Sequence, residues 1–290
     1  MSVQKNIVAV IPAYNESNTI VHIIQEVLTY CSKIVVVNDC STDETKELLE
    51  KLNNDKVEII HNIKNLGIGG SMKLGFKRAL KTNPDIVIKI DADGQHKPSD
   101  IPFFVDKLIN EDLSLVKGNR FFDIESLENM PKIKVFGNLI TTNLQKIVSG
   151  NYKVSDPNNG FLAIRSSSLK KVNFKHLHNN YFFENSLIIV FNALNLKIGE
   201  IGIETIYNDE KSSIPVLKAA LQMIPVFIFF LFRKNVITAK HQLSANSMLF
   251  FILFMFLIAN MFLNSQALWF FIVLMIVLYI FVDVLNFLSR

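Results

Sequence analysis

The chain has 290 residues, of which 50% are hydrophobic and 19% are charged, and its formal net charge is +4 at pH 7. This length suits one large domain with an appendage. So small and dispersed a charge gives no support for a nucleic-acid partner. Cys31 and Cys40 have no metal-ligand spacing and no partner set, which is typical of a reducing compartment. No signal peptide precedes the first apolar run, so we expect the catalytic part to stay in the cytoplasm.

Short apolar runs alternate with amphipathic stretches in the first hundred residues. Strands are predicted at 6–11, 33–37, 57–61 and 86–90, each followed by a polar loop and a helix. The expected helix starts are Ser17 or Asn18, Ser41 with Glu44 in capping-box spacing, Ser71, and Ser99. Repeated strand–loop–helix units imply right-handed crossovers and a mainly parallel, Rossmann-like α/β sheet.

Every polar insertion in this half falls directly after a predicted strand. These insertions are Asn15 with Glu16, Asp39, the glycines of 67–71, and Asp91 with Asp93. Carboxyl ends of parallel strands share one edge, where ligands of open α/β sheets bind. We therefore expect these side chains to line one site.

The fourth strand ends in Asp91-Ala-Asp93-Gly-Gln95-His96. Along an extended chain the two carboxylates point the same way, about 7 Å apart. Mg²⁺ or Mn²⁺ favours such hard oxygen ligands and keeps positions for substrate phosphates. The alternative is a strand end with ordinary solvated aspartates, and His96 as an incidental exposed histidine.

The glycine run Gly67-Ile-Gly69-Gly70-Ser71 suits an anion, because glycines let backbone N–H groups approach closely and a helix start adds its dipole. The competing interpretation is a dinucleotide fingerprint. It fails because the third glycine would have to stand at Met72. A nucleoside diphosphate at this edge fits the acids and glycines together.

The second half continues with a predicted strand at 113–116 that ends in Lys117-Gly-Asn-Arg120-Phe121, and a helix at 135–148. Asp156 begins a turn that leads to Gly160, and a strand at 162–164 follows. A helix at 186–195 and a strand at 197–206 complete this part. Asp156 is interpreted either as a turn starter or as a group that orients a sugar hydroxyl or an arginine. Glu184 is either a helix N-terminal acid or a donor-sugar contact.

The C-terminal region is much more apolar. Residues 216–232 predict an interfacial helix, with a buried soluble helix as the alternative. Residues 245–263 and 267–288 are each long enough to cross a core of roughly 30 Å as a helical hairpin. Basic residues flanking the hairpin predict that both termini are cytoplasmic. The expected divisions are 1–214, catalytic; 215–241, interfacial; and 242–290, transmembrane.

Four ordered motifs carry a resemblance to a known family. They are Pro12-Ala-Tyr14-Asn15-Glu16, Asn38-Asp39-x-Ser41-x-Asp43, Asn65-x-Gly67-x-Gly69 and Asp91-Ala-Asp93-Gly-Gln95-His96. They resemble the family 2 glycosyltransferases of GT-A fold, and most of all the polyprenyl-phosphate glycosyltransferases similar to dolichyl-phosphate mannose synthases. The resemblance implies a membrane-bound inverting enzyme that moves a hexose from a UDP- or GDP-linked sugar to a polyprenyl phosphate.

The resemblance also implies residue roles. The nucleotide would contact Pro12, Tyr14, Glu16, Asp39, Gly69 and Asp91, and the cation would lie among Asp91, Asp93 and Gln95. The acceptor phosphate would meet Arg120, with Lys132, Lys134 and Lys211 as further cations. The family often has a second arginine near Lys134 and a third basic residue around 208–211, where this chain offers lysines, and lysine lacks the bidentate fork. Asp93, Arg120 and Asp156 are the predicted catalytic set, and a homo-oligomer is compatible with the sequence.

Two rival functions differ in class. A processive or glycolipid-forming synthase of the same fold would resemble proteins with a Gln-x-x-Arg-Trp segment, whereas the only tryptophan here is Trp269. A non-catalytic nucleotide-binding membrane subunit would not need Asp91, Asp93 and Gln95 together.

Overall fold

The computed structural model describes residues 5–122 and 142–204, and parts of the C-terminal region. Those parts are residues 229–232, 234, 235, 249, 250, 252–255, 257, 272, 273, 275–280 and 282.

A seven-stranded sheet forms the centre of the domain. Its strands are β1 (Ile7–Ala13), β2 (Lys33–Asn38), β3 (Val57–His61), β4 (Ile86–Lys89), β5 (Leu115–Asn119), β6 (Leu162–Arg165) and β7 (Ile198–Gly202), in the spatial order β3-β2-β1-β4-β6-β5-β7. The four strands of the first half pair in parallel, as predicted. Parallel pairing of strands buried on both faces explains why these segments are continuous apolar runs.

β6 is the exception, because it runs antiparallel to both β4 and β5. The other six strands therefore present their carboxyl ends at one edge, while β6 begins there. This reversal brings the loop that precedes β6, with Asp156 and Gly160, to the edge where Asp91 and Asp93 emerge.

Helices cover both faces of the sheet. They are α1 (Ile20–Val27), α2 (Thr45–Glu50), α3 (Gly67–Leu80), α4 (Ile101–Asn110), α5 (residues 142–149), α6 (Ser166–Leu169) and α7 (Phe183–Ala193). The core on one face includes Ile20, Ile24, Phe104 and Leu108 from α1 and α4. The core on the other includes Met72, Phe76, Phe183 and Leu187 from α3 and α7. Burial of each such side chain stabilises the fold by about 1.5–3 kcal/mol.

All four predicted helix starts differ from the observed ones, and α1 begins at Ile20 after Thr19 rather than after Ser17 or Asn18. α2 begins at Thr45 and not after Ser41, because the Ser41 side chain donates to Asn38 and accepts the Asn15 N–H instead of capping a helix. α3 begins at Gly67, four residues before the predicted Ser71. Ser99 lies inside a 3₁₀ turn, Pro98–Asp100, that leads into α4.

The predicted transmembrane hairpin at 245–263 and 267–288 is corrected by the structure. Among the residues described, none belongs to a helix with the length and apolar character needed to cross a bilayer. Most positions of both segments lie outside the described residues, as do the predicted domain boundaries at 214 and 241. Within the predicted interfacial segment, Phe230 is buried and packs with Phe182 and Ile189 of the domain.

Candidate functional site

Two loops at the carboxyl edge are joined by reciprocal side-chain hydrogen bonds. Asn15 accepts the Thr42 N–H at 2.8 Å, and its own N–H donates to Ser41 at 3.0 Å. The Glu16 N–H donates to Thr45 at 2.8 Å. Asn15 has a φ of 59°, a conformation that asparagine tolerates better than most residues. The conformation of the Pro12–Glu16 loop is therefore fixed by the loop that follows β2.

A pocket of about 530 Å³ opens at this edge. Its lining contains most of the residues that the family resemblance assigned to the nucleotide or the cation, together with Asn180 and Tyr181, which the sequence did not indicate. The predicted ones are Pro12, Tyr14, Glu16, Asp39, Asp91 and Asp93. The convergence expected from strand ends is therefore observed, and the roles of the individual residues stay predictions.

Asp39 is buried at the back of the pocket and connects three segments. Its Oδ1 accepts the Leu66 N–H at 2.8 Å and the Asn62 amide at 2.7 Å. The same Asn62 amide donates to Ser71 at 3.0 Å. Asp39 thereby holds the first turn of α3, whose N-terminus lines the pocket through Gly67 and Ile68. A helix N-terminus favours negative charge, as a diphosphate would supply.

Gly69, which is predicted to contact the nucleotide, packs against the 178–180 segment. It is absent from the pocket lining, and a Cβ at this position would lie 2.2 Å from the carbonyl oxygen of His178. The next N–H, that of Gly70, donates to the Asn179 carbonyl at 2.9 Å. These glycines allow α3 to dock on the 178–180 segment, and that docking brings Asn180 and Tyr181 to the pocket.

The two predicted metal-binding aspartates both line the pocket, but their surroundings differ. Asp93 accepts the Gln95 N–H at 3.0 Å within its own loop. Asp91 lies beside the buried ammonium group of Lys89, at 2.7 Å. Burial raises the pKa of the Asp91 carboxyl, but the charge and hydrogen bond of Lys89, together with other nearby positive groups, hold that pKa below its usual range.

The donor set fits a cation that completes its coordination with substrate oxygens. In the described part of the chain, no three His, Cys, Asp or Glu side chains are close enough to hold a metal on their own. Mg²⁺ commonly uses one or two carboxylates and takes phosphates for the rest. Asp91 and Asp93 in one pocket satisfy that requirement, whereas Gln95 does not line the pocket.

Lys89 was missed by the sequence interpretation. Its side chain is fully buried, and it also pairs with Glu184 at 2.9 Å and donates to the Gly160 carbonyl at 3.0 Å. Burial lowers the pKa of Lys89, but Asp91 and Glu184 more than reverse this and raise it above its ordinary value. The available signal was a lysine inside the apolar run Ile86–Ile90, where a charge requires a buried partner. Glu184 thus contacts Lys89.

Arg120 and Asp156 form a forked ion pair at the end of β5. Arg120 Nε and Nη2 donate to the Asp156 carboxylate at 2.7 and 2.9 Å, and the Arg120 N–H donates to it at 3.1 Å. Burial raises the pKa of the Asp156 carboxyl, but the hydrogen bonds and charge of Arg120 hold it below its usual range. Of the two interpretations of Asp156, the structure favours the one in which it orients an arginine.

A second layer holds Asp156 in place. Glu200 on β7 accepts the N–H groups of Ser155 and Asp156 at 2.7 and 3.0 Å. Asn119 donates to the other oxygen of Glu200 at 3.2 Å. Nearby, Lys117 is fully buried and donates to the Asn159 carbonyl, and burial lowers the pKa of Lys117 to about 8.

His96 is buried, contrary to the expectation of an exposed histidine. Its ring lies 5.4 Å from that of Phe161, and burial lowers the pKa of His96 to about 4. A neutral ring at physiological pH is therefore part of the packing beneath the site. The other predicted acceptor cations, Lys132, Lys134 and Lys211, lie outside the described residues.

Comparison with known proteins places this geometry in a family. The sequence model of "Glycosyl transferase family 2" matches residues 8–173. A UDP-N-acetylglucosamine–dolichyl-phosphate N-acetylglucosaminyltransferase of Methanococcus voltae is 32% identical over 220 residues, which are 71% of this chain and 87% of that protein. The polyprenol monophosphomannose synthase of Mycolicibacterium smegmatis is 26% identical over 168 residues, 56% of this chain and 63% of that protein.

A solved structure supports the fold. Glucosyl-3-phosphoglycerate synthase from Mycobacterium tuberculosis, in complex with Mn²⁺, UDP and glucosyl-3-phosphoglycerate, superposes with a TM-score of 0.55. The two are 19% identical, and the match covers 78% of this chain and 80% of that one. The resemblance drawn from the four motifs is thereby confirmed: with its strand-end pocket and family match, this chain belongs to glycosyl transferase family 2 and is a glycosyltransferase.

Proposed function

We propose that the protein transfers a hexose from a nucleoside diphosphate sugar to a polyprenyl phosphate. The main support is that two features lie at one edge of the sheet. One is the pocket lined by Asp91 and Asp93, and the other is Arg120 on an adjoining loop, where it is paired with Asp156. The pocket volume of about 530 Å³ lies in the range of small-molecule sites. The activities named for the Methanococcus and Mycolicibacterium relatives support this acceptor class.

A divalent cation, Mg²⁺ or Mn²⁺, belongs to this proposal. It would be held by Asp93 and Asp91 and would supply charge stabilisation for the departing nucleoside diphosphate. The N-terminus of α3 would add its dipole on the same side of the pocket. Asp39 and the Pro12–Glu16 loop would hold the nucleoside.

The acceptor is already anionic at neutral pH, so this reaction needs no strong general base. It needs positive charge that brings two anionic substrates together, and Arg120 supplies it. Asp156 and Glu200 keep the guanidinium in one orientation, which lowers the entropy lost when a phosphate binds. Direct attack of the phosphate oxygen on the anomeric carbon would invert the configuration of that carbon.

The lipid tail of such an acceptor resides in a bilayer, and we place the reaction at a membrane surface. The described C-terminal residues include exposed apolar side chains, among them Phe229, Met255, Val273 and Val277. Exposed apolar groups of this kind mark interaction surfaces. In a flotation experiment the protein should rise with vesicles that contain polyprenyl phosphate. Recovery only at the bottom of the gradient would contradict this placement.

A donor screen tests the proposed function. Purified protein is incubated with Mn²⁺, polyprenyl phosphate and one labelled nucleotide sugar at a time, such as UDP-N-acetylglucosamine, UDP-glucose or GDP-mannose. Thin-layer analysis of the organic extract should show a single labelled lipid with one of them. Excess chelator should abolish its formation, and restored Mg²⁺ or Mn²⁺ should recover it. Full transfer in the presence of excess chelator would refute the requirement for a divalent cation.

A further inference from the structure

The Lys89 ammonium group lies at a fully satisfied buried junction. An ammonium group has three N–H donors. Three acceptors surround Nζ: Asp91 Oδ1 at 2.7 Å, Glu184 Oε1 at 2.9 Å and the Gly160 carbonyl at 3.0 Å. These acceptors come from the end of β4, from α7 and from the loop before β6, so one side chain joins three separate elements.

The Asp91 carboxylate is confined by Lys89 and by the backbone of Gly160. Oδ1 accepts from Lys89, and Oδ2 lies 1.8 Å from the position that a Cβ on Gly160 would take. The carboxylate therefore packs closely against the Gly160 backbone. A residue with any side chain at 160 would displace it, so glycine there is part of the same arrangement.

The junction depends on the positive charge of Lys89, because that charge is shared by two acidic side chains. Two carboxylates share one ammonium group, and the Lys89 and Glu184 side chains are almost completely buried. Without the lysine, two acids would face each other in a low-dielectric interior, where like charges repel strongly. Asp91 would then turn away from Glu184, and Asp91 lines the donor pocket while Lys89 itself does not.

We propose that Lys89 is a positioning residue for donor binding: by pairing with Asp91 and Glu184 at once, it fixes the orientation of the Asp91 carboxylate in the donor pocket. This inference rests on the proposed function, since it takes that pocket as the nucleotide site. Lys89 acts through Asp91 and makes no contact with substrate.

The test distinguishes a role of Lys89 in positioning the Asp91 carboxylate from a role in stabilising the fold. It does so by removing first the lysine and then one of its two acidic partners. Lys89→Met leaves the buried Glu184 and the partly buried Asp91 without their shared cation and should lower the unfolding temperature. Lys89→Met/Glu184→Leu removes one of the acids and should recover most of that loss. Lys117→Met is the matched control, because Lys117 is an equally buried lysine on β5 that donates to the Asn159 carbonyl.

Calorimetry with Mn²⁺ and UDP, repeated with GDP, gives a readout besides activity. We expect nucleotide Kd to rise at least tenfold in Lys89→Met and to stay raised in the stable double variant. Donor KM should rise with it, acceptor KM should change less than threefold, and the Lys117→Met variant should keep a Kd within threefold of wild type. A double variant that binds nucleotide like wild type would show that Lys89 only stabilises the fold, and would overturn the proposal.

Failure of the proposed function gives a different result. If the wild-type protein binds neither UDP nor GDP in the presence of Mn²⁺, the nucleotide site itself is refuted, and the donor role of Lys89 with it. If wild type binds and all variants bind equally, only the inference about Lys89 is refuted.

Discussion

Arg120 shows how one residue can be prepared for an anionic substrate. Its guanidinium is bound bidentately by a carboxylate that is fully buried, and Asp156 also accepts its backbone N–H. Bidentate charged pairs of this kind fix geometry as well as energy. The Arg120 guanidinium is therefore held in one orientation by the protein itself, as its proposed role toward the acceptor phosphate requires.

Replacing Asp156 with Asn should loosen that orientation. The Asn amide has the same shape as the Asp carboxylate, but only one of its two terminal atoms can accept a hydrogen bond. Arg120 therefore loses its bidentate pairing. We expect the KM for polyprenyl phosphate to rise about tenfold, corresponding to about 1.4 kcal/mol, with donor KM within twofold of wild type. Steady-state kinetics with each substrate varied separately measure this. An equal rise in donor KM would place Arg120 in the donor site instead.

The same pair predicts a pH dependence of stability. The folded pKa of Asp156 is depressed below its unfolded value of about 3.9, so its contribution is fully present above that pH and is lost as pH falls through the folded pKa. Asp156→Ala should lower the free energy of unfolding by about 3 kcal/mol at pH 7. The gap from wild type should narrow in denaturant titrations toward pH 2. A gap independent of pH would show that the pair does not stabilise the fold.

At the scale of elements, the site depends on how α3 meets the segment before α7. The close approach of Gly69 to the His178 carbonyl, and the hydrogen bond from Gly70 to Asn179, set the position of the helix N-terminus. Asn180 and Tyr181 reach the pocket as a result. The glycines thus shape the donor site through packing.

Gly69→Ala tests this role. The added methyl would meet backbone at 2.2 Å, which cannot yield as a flexible side chain does, so α3 must shift. We expect nucleotide Kd to rise at least tenfold and the unfolding temperature to fall. Gly199→Ala is the control, since its Cβ meets only the end of the Leu113 side chain. Unchanged nucleotide Kd in Gly69→Ala would refute the docking argument.

Much of this arrangement could be predicted from the sequence. Apolar runs indicate the strands, and the polar residues that follow each run lie at the carboxyl edge of the sheet. Glu16, Asp39 and Asp93 were placed in one site on that basis and do line one pocket. Helix starts were less predictable. Ser41, for example, hydrogen-bonds through its side chain to Asn38 and to the N–H of Asn15 instead of capping a helix. The reversal of β6 and the partners of Lys89 depend on contacts between distant segments, which local patterns do not encode.

For the whole molecule, the mixed sheet explains why donor and acceptor groups meet. The parallel strands of the first half form much of the pocket proposed for the nucleotide, and the reversed β6 returns the Asp156–Gly160 loop to the same edge. Lys89 and Gly160 connect the two halves directly. Two anionic substrates can thus be held by separate parts of one domain.

Transfer to a phosphorylated and a non-phosphorylated lipid tests this account most directly. Wild-type protein receives its labelled nucleotide sugar and Mn²⁺ with either polyprenyl phosphate or the free polyprenol, and the label in the organic phase is counted. We expect a labelled lipid from polyprenyl phosphate alone. Asp93→Ala should reduce the amount of labelled lipid at least about 100-fold, because the cation stabilises the charge on the leaving group by several kcal/mol. Equal transfer to the free alcohol, or undiminished transfer by Asp93→Ala, would contradict this account.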